Sequence, residues 1–324
     1  MPPVNRNRPV RAASSESQFS LMEFMREYPD DATCLEALWR RRYSPDGVHA
    51  ECPKCEVERE FKRYATAQQR QSWTCVACAT KLHPTAGTIF HKSSTSLHLW
   101  FYAMYLMTST RCGISAKQLE RELGVTYKTA WRIAHLIRTE LMEDDGEPLS
   151  GTVEMDETFV GGKPRYKRGE RPLRADGSPA RGPRPASHGV QKQPVFGMVE
   201  RRGRVVAVAV ASNRRVTLLP HIETRVLPKS TVYTDELKSY DALTTRGYAH
   251  SRVQHKERVY VSGDVHTNTI EGFWSLLKRG IGGVYHSVSA KHLQGYLNEY
   301  AWRYNHRDDR RAMFDLLLVR AARR

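Results

Sequence analysis

Apolar and polar positions along the chain change period more than once. Phe19, Met22, Met25, Leu35, Leu38 and Trp39 recur at helical spacing and predict two short helices over residues 18–43. Short alternating stretches follow around Phe61–Tyr64, Ser72–Thr74 and Leu82, and these predict strands. Leu97, Trp100, Phe101, Met104, Tyr105 and Met107 predict a buried helix over 97–109. Two further helices are expected over 114–142, with Gly124 between them. The acidic segment Glu143–Ser150 contains Gly146 and Pro148 and reads as a linker. Beyond it the period becomes strand-like. Val153 and Met155 alternate with polar residues, and Phe196–Val199 and Val205–Val210 flank Arg201, Arg202 and Gly203 as a hairpin would. A helix over Thr217–Val226, a strand over Thr231–Thr234 and helices over 268–279 and 289–304 complete the expectation.

Two segments break the pattern. Residues 1–17 are rich in Pro, Arg and Ser with few large apolar residues, so they are expected to be a disordered basic tail. Residues 163–192 hold nine Lys or Arg among several Gly and Pro, which reads as a long basic loop. Lys163, Arg165, Lys167 and Arg168 open that loop as candidate DNA contacts.

Charge makes such contacts plausible on a larger scale. The 324 residues carry 51 Lys and Arg against 35 Asp and Glu, a formal net charge of +16. A chain so basic favours a polyanionic partner, because neutralising phosphates releases condensed counterions. No run of about 18 apolar residues could span a bilayer, and the N-terminus lacks a secretory apolar core. A cytoplasmic protein with no membrane partner is the expectation.

Four of the six cysteines form two C-x2-C pairs, Cys52 with Cys55 and Cys75 with Cys78, separated by 19 residues. Two thiolate knuckles joined by a hairpin suit one tetrahedral zinc ion. Four thiolates fill its coordination sphere, so the ion is expected to be structural. Such knuckles often carry Gly after the second Cys, whereas Glu56 and Ala79 stand there. Cys34 and Cys112 read as ordinary thiols.

The stretch Ser115–Arg138 has the layout of a helix-turn-helix. Leu119 and Leu123 face inward, Gly124 permits the turn and Thr126 can cap the second helix. Tyr127, Lys128, Arg132 and Arg138 would then point outward to DNA.

Three carboxylates stand out by position. Asp156 follows the strand Thr152–Met155, Asp235 follows the strand Thr231–Thr234, and Glu271 begins a helix. Such a trio suits two magnesium or manganese ions flanking an in-line phosphoryl displacement. Lys278 lies seven residues beyond Glu271 on the same helix face, and Asn268 three before it.

The chain resembles the DDE transposases of bacterial insertion sequences, in the group with an N-terminal zinc ribbon. The resemblance covers about residues 20–307. It rests on the cysteine pairs leading to Ala86–Ile89, on Gly113–Ala116 with Thr129–Trp131, on Val153–Lys163, on His266–Trp274 and on Arg303–Arg307. It implies an α/β architecture: an RNase H-like catalytic domain over 150–307, preceded by helices and a small β zinc ribbon over 18–90 and a helix-turn-helix domain over 91–145. Residues 308–324 are expected as a basic C-terminal tail. The resemblance implies Asp156 and Asp235 as catalytic metal ligands, with Glu271 as third acid or Asn268 in its place, and Lys278 on a phosphate near the cleavage site. It further implies one structural zinc and two catalytic Mg or Mn ions. Double-stranded DNA, as transposon ends and target, would be bound by a homodimer or higher oligomer near the bacterial nucleoid. The competing reading is an inactive zinc-ribbon and helix-turn-helix regulator derived from such an enzyme, and a resolvase on the same fold is a third.

Overall fold

A computed structural model describes residues 18–65, 71–110, 112–161, 177–178, 192–253 and 266–323. The tail expected over 1–17 lies outside the described residues, as does the basic loop except Gly177, Ser178 and Lys192. Lys163, Arg165, Lys167 and Arg168 are therefore not among them. The chain divides into two units, Met1–Met142 with His306–Arg324, and Glu143–Asn305.

The first unit opens with α1 (Leu21–Glu27) and α2 (Asp31–Arg42). Ser20 and Glu23 cap α1 reciprocally, and Asp30 accepts the Thr33 amide at the start of α2 at 2.7 Å. These caps satisfy amides that a helix N-terminus leaves without partners. A four-stranded antiparallel sheet follows among the described residues, in the order β1 (His49–Cys52), β2 (Val57–Ala65), β3 (Gln71–Cys75), β4 (Lys81–Leu82). Trp39 of α2 stacks on Trp73 of β3 with ring centroids 4.8 Å apart. A helix of thirteen residues, α3 (Leu97–Ser109), is buried along most of its length. It precedes α4 (Ala116–Leu123) and α5 (Tyr127–Leu136), which continues into a π-helical turn over Ile137–Leu141.

The second unit is built on a five-stranded mixed sheet. Its strands are β5 (Thr152–Val160), β6 (Gln193–Glu200), β7 (Val205–Ala209), β8 (Thr231–Thr234) and β9 (Ala249–Arg252), in the order β7-β6-β5-β8-β9. β5, β6 and β7 pair antiparallel, whereas β8 and β9 join parallel. On one face Val153, Met155, Phe196 and Met198 pack with Leu218 and Ile222 of α6 (Arg215–Arg225). On the other, Val195, Val199 and Ala207 meet Ile270, Phe273 and Leu277 of α7 (Asn268–Gly280) and Leu297 and Tyr300 of α8 (Leu293–Asn305). A one-residue slip of β5 or β6 would turn these side chains to the wrong faces, so burial on both sides holds the register.

Three elements differ from the expectation. The segment 308–324 is no tail: Met313–Arg323 forms α9, burying Phe314, Leu317, Leu318, Ala321 and Ala322. Those residues follow helical spacing, while Arg310, Arg311, Arg320, Arg323 and Arg324 give the segment its basic composition. Phe314 joins Phe24, Tyr28, Phe101 and Tyr105 in an aromatic cluster within the first unit. β9 is an edge strand whose residues are mostly exposed, so no apolar alternation marks it. β5 runs on to Val160, which places Asp156 inside the strand and not after it. Among the described residues no helix is long and apolar enough to cross a membrane.

Candidate active site

The parallel register of β5 and β8 places two carboxylates side by side. Pairing ends at Glu154 opposite Tyr233, and two residues further along each strand stand Asp156 and Asp235. Adjacent strands lie about 4.8 Å apart. Carboxylate oxygens of Asp156, Glu157 and Asp235 all fall within 4.8 Å of one another. Asp235 lies just past β8, where it accepts the Leu237 amide at 2.9 Å. Tyr240 donates its hydroxyl to Glu157 Oε1.

Gathering acids out of water raises their proton affinity. Burial first, then the charges of Asp235 and Glu271, push the Asp156 carboxyl up to about 6 against the lowering pull of two hydrogen bonds. Burial, then Asp235 and Asp156, push Glu157 up to about 8. A cation would reverse this cost, because it favours the charged forms. The donor set is all oxygen and compact, which fits a hard divalent ion.

A glycine aligns the first of these acids. Gly197 pairs across from Asp156, and a Cβ there would meet Trp274 and come within 2.9 Å of Ile270 Cδ1. Without it the indole lies against the strand and its Nε1 donates to Asp156 Oδ2 at 2.9 Å. Glu154, fully buried two residues upstream, holds the start of α7. It accepts the Thr269 amide at 2.8 Å, the Ile270 amide at 3.2 Å and the Thr269 hydroxyl at 2.9 Å. Arg201 donates to it at 2.7 Å and to the His266 carbonyl at 3.1 Å. His266 Nδ1 comes within 3.3 Å of Glu154 but makes no hydrogen bond there.

Of the residues expected at the site, Asp156 and Asp235 come together. Glu271 is exposed on α7, where it accepts the Thr267 hydroxyl at 3.1 Å, and its charge reaches Asp156. It is not one of the three closest carboxylates. Asn268 is exposed at the first position of α7, and Lys278 is exposed two turns beyond Glu271. Glu157, Glu154 and Trp274 were missed. Glu157 was visible only as half of an Asp-Glu pair, a common surface feature. Glu154 and Trp274 carried no signal, because their partners are set by register and by helix placement.

The cysteine sulfurs also converge: Cys52, Cys55, Cys75 and Cys78 lie within 4.8 Å of one another, with Cys52 and Cys78 at 3.5 Å. Tetrahedral coordination at about 2.3 Å needs sulfurs about 3.8 Å apart, so the cluster fits zinc. Each knuckle closes on its own backbone, Glu56 donating to the Cys52 carbonyl at 2.8 Å and Ala79 to the Cys75 carbonyl at 3.0 Å. Both closing residues take left-handed backbone, with φ of 55° and 58°. The hydroxyl and amide of Thr80 hold the Cys78 thiol down to about 6, while Cys78 first and burial second push Cys55 up to about 12.

On the helix pair, Ser115 caps α4, Gly124 closes it with φ 62°, and Thr126 caps α5. Tyr127, Lys128 and Arg132 are exposed, with the Lys117 ammonium 5.2 Å above the Tyr127 ring. Arg138 was expected to point outward and does not. It is 2% exposed and donates to the Ile114 carbonyl at 3.3 Å. It stands four residues past Ala134, so helical spacing sets it beside the apolar face and not with Lys128 and Arg132.

Residues 148–305 match the family model of the ISXO2-like transposase domain. The chain is 32% identical over 263 residues to a protein described as uncharacterised in transposable element ISH50 of Halobacterium salinarum, covering 80% of this chain and 85% of that protein. It is 34% identical over 102 residues to an uncharacterised transposase-like protein of Haemophilus influenzae, covering 32% of this chain and 81% of that one. Among solved structures it is similar to a pre-cleavage Mos1 transpososome at 14% identity and TM-score 0.25, over 64% of this chain and 75% of that one. A Mos1 paired-end complex with the left transposon end matches at 13% identity and TM-score 0.23, over 58% and 71%. The site described above rests on its own geometry.

Proposed function

We infer the function from one premise: the chain belongs to the ISXO2-like family of insertion-sequence transposases. The reading is an enzyme that binds the terminal inverted repeats of its element and cuts and joins DNA strands at them. The observation that carries it is the convergence of Asp156, Glu157 and Asp235 at the end of β8, with the charge of Glu271 on α7 felt at Asp156. The strand order β7-β6-β5-β8-β9, antiparallel and then parallel, supports an RNase H-like catalytic domain over 150–307.

Asp156, Asp235 and Glu271 would hold two Mg or Mn ions, with Asn268 the alternative third donor. Bound there, the ions supply Lewis-acid stabilisation to the attacking and leaving oxygens. The protein's part is positioning. Trp274 fixes one oxygen of Asp156, Glu154 anchors the helix that carries Glu271, and Tyr240 orients Glu157. Lys278, exposed on the same helix face as Glu271, would meet a phosphate beside the scissile bond. In the first step water attacks phosphorus and the 3′-oxygen leaves as a hydroxyl. In the second that hydroxyl attacks a target phosphodiester, whose own bridging 3′-oxygen leaves as a hydroxyl.

End recognition falls to the first unit in this reading. The four cysteines would hold one structural zinc within a ribbon over 18–90. Tyr127, Lys128 and Arg132, on a helix-turn-helix within 91–145, would contact DNA, with Lys163, Arg165, Lys167 and Arg168 adding phosphate contacts. Pairing two transposon ends would call for a homodimer or larger assembly.

Asp156→Ala and Asp235→Ala are expected to lower Mg-dependent cleavage of terminal-repeat DNA by about 1,000-fold or more. Gel-shift affinity for the same DNA should be retained. Undiminished cleavage by both variants overturns the reading.

A further inference from the structure

We propose that His250 is a positioning residue for Asp235, acting on it through the hydroxyl of Thr234; this rests on the metal-binding reading above. β9 is a polar edge strand, and its residues Ala249, Ser251 and Arg252 are exposed. His250 is half-buried. It stands opposite Val232 in the parallel register of β8 and β9, so it shares a face of the sheet with Val232 and, two residues on, with Thr234. Its imidazole lies 6.5 Å from the ring of Tyr240, centroid to centroid.

Two hydrogen bonds in series run from this side chain to Asp235. His250 Nε2 lies 2.8 Å from Thr234 Oγ1, and Oγ1 donates to the Asp235 carbonyl at 2.9 Å. A hydroxyl has one proton and a carbonyl can only accept, so the Thr234 proton is committed to Asp235. Nε2 must then carry a hydrogen and donate it to Oγ1. In the neutral ring this selects the Nε2–H tautomer. Burial first, and the Arg252 charge second, favour the neutral ring by lowering its proton affinity. Thr234 is fully buried, so its hydroxyl has no bulk water to turn to.

The place of Asp235 in the chain gives these bonds their weight. β8 stops pairing with β5 at Tyr233 and with β9 at Thr234, so Asp235 stands one residue beyond the ladder. Side chains take over where the ladder ends: Thr234 holds the Asp235 carbonyl, and the Leu237 amide holds its Oδ1. Together they set where the carboxylate sits beside Asp156 and Glu157. A carboxylate already held in place gives up little freedom when a cation binds. Asp156 has its own counterpart in the Trp274 indole. Outer partners of this kind typically contribute about 10–100-fold to metal affinity.

A histidine with a purely structural role would act on the fold. A positioning histidine acts on the bound metal, and only by way of Thr234. Gln carries an amide nitrogen as many bonds from the backbone as Nε2, so it can donate to Thr234, whereas Leu cannot. Val keeps the shape of Thr234 and removes its hydroxyl. Once that hydroxyl is gone, the residue at position 250 should no longer affect the metal.

The probe is Mn²⁺, titrated into the zinc-loaded full chain without DNA and followed by the paramagnetic resonance signal of the free ion. The site is defined as the binding that Asp235→Ala removes. His250→Leu and Thr234→Val are each expected to weaken that binding about 10-fold, and His250→Gln to bind as the wild type does. The double variant, His250→Leu with Thr234→Val, should bind no more weakly than either single one. Metal-free melting temperatures are measured alongside. Unchanged Mn²⁺ affinity in Thr234→Val overturns the inference, whatever happens to the melting temperature. Losses that multiply in the double variant, or a His250→Gln as weak as His250→Leu, overturn it as well. In these cases the metal reading stands and the positioning role alone fails. If the wild type and Asp235→Ala bind Mn²⁺ alike, the metal reading fails and the inference falls with it.

Discussion

The cysteine cluster and the acidic cluster are both groups of ligand atoms within 4.8 Å of one another, but they are built in opposite ways. Each cysteine pair is local: two residues lie between its members, its turn is closed by its own backbone, and one hairpin joins the pairs. In the acidic cluster only Asp156 and Glu157 are neighbours in sequence, and no local turn brings Asp235 to them. Asp156 and Asp235 meet because a parallel pairing spans the intervening chain, and Glu154 fixes where α7, the helix that carries Glu271, begins. A site of the first kind can assemble once its hairpin forms. One of the second kind depends on a complete sheet and the helix packed on it.

The contrast is open to attack at several strengths. Replacing Cys52 and Cys75 together by Ser should have the largest structural effect. Zinc binding contributes about 10–16 kcal/mol in small ribbon-like modules, so its loss should melt β1–β4. Metal analysis is expected to find about one zinc per wild-type chain and none in the variant, with amide exchange accelerated in residues 49–82 alone. If the acidic unit loses protection equally, the two clusters are not independent.

The acidic cluster should respond to pH. The proton affinities of Asp156 and Glu157 are raised, to about 6 and about 8. The folded protein thus binds more protons than the unfolded chain between their ordinary values and those raised ones. Without divalent ions, their contribution to stability is therefore fully present at about pH 4 and is lost as pH rises through 6 to 8. Magnesium affinity should rise over the same interval, since binding must displace those protons. Thermal unfolding with and without Mg checks both signs. Glu157→Gln should flatten the upper part of the metal-free profile, and a profile unchanged by that substitution would contradict the assignment.

The smallest effect tests the knuckles. Glu56 and Ala79 hold left-handed backbone that costs an L-residue about 1–2 kcal/mol, offset in part by the entropy glycine loses on folding. Glu56→Gly or Ala79→Gly should each stabilise the zinc-loaded ribbon by about 0.5–1 kcal/mol, read from chelator-induced unfolding.

The same contrast explains what could be read in advance. The cysteine pairs, the cap at Thr126, the turn at Gly124 and the strand Thr231–Thr234 depend on residues within a few positions of each other, and all appear where their spacing put them. Asp156 and Asp235 were legible as polar residues beside short strands. Glu157, Trp274 and Glu154 were not, because their roles come from register and from the space that Gly197 leaves for an indole. Arg138 was misjudged because its charge outweighed its spacing: it stands four residues past Ala134, beside the buried face of the helix. In the segment 308–324, five arginines hid the apolar face of α9, whose partners lie nearly the whole chain away.

That last helix bears on how the molecule is made. Phe24 and Phe101 leave the ribosome early, yet the ring that completes their cluster, Phe314, follows some two hundred residues later. Throughout translation of Glu143–Asn305 the first unit waits with an open aromatic surface. A frameshift or early stop within that span would release a product carrying the cysteine hairpin and the α4–α5 pair on an incomplete core. Such a product would be a target for proteases and chaperones.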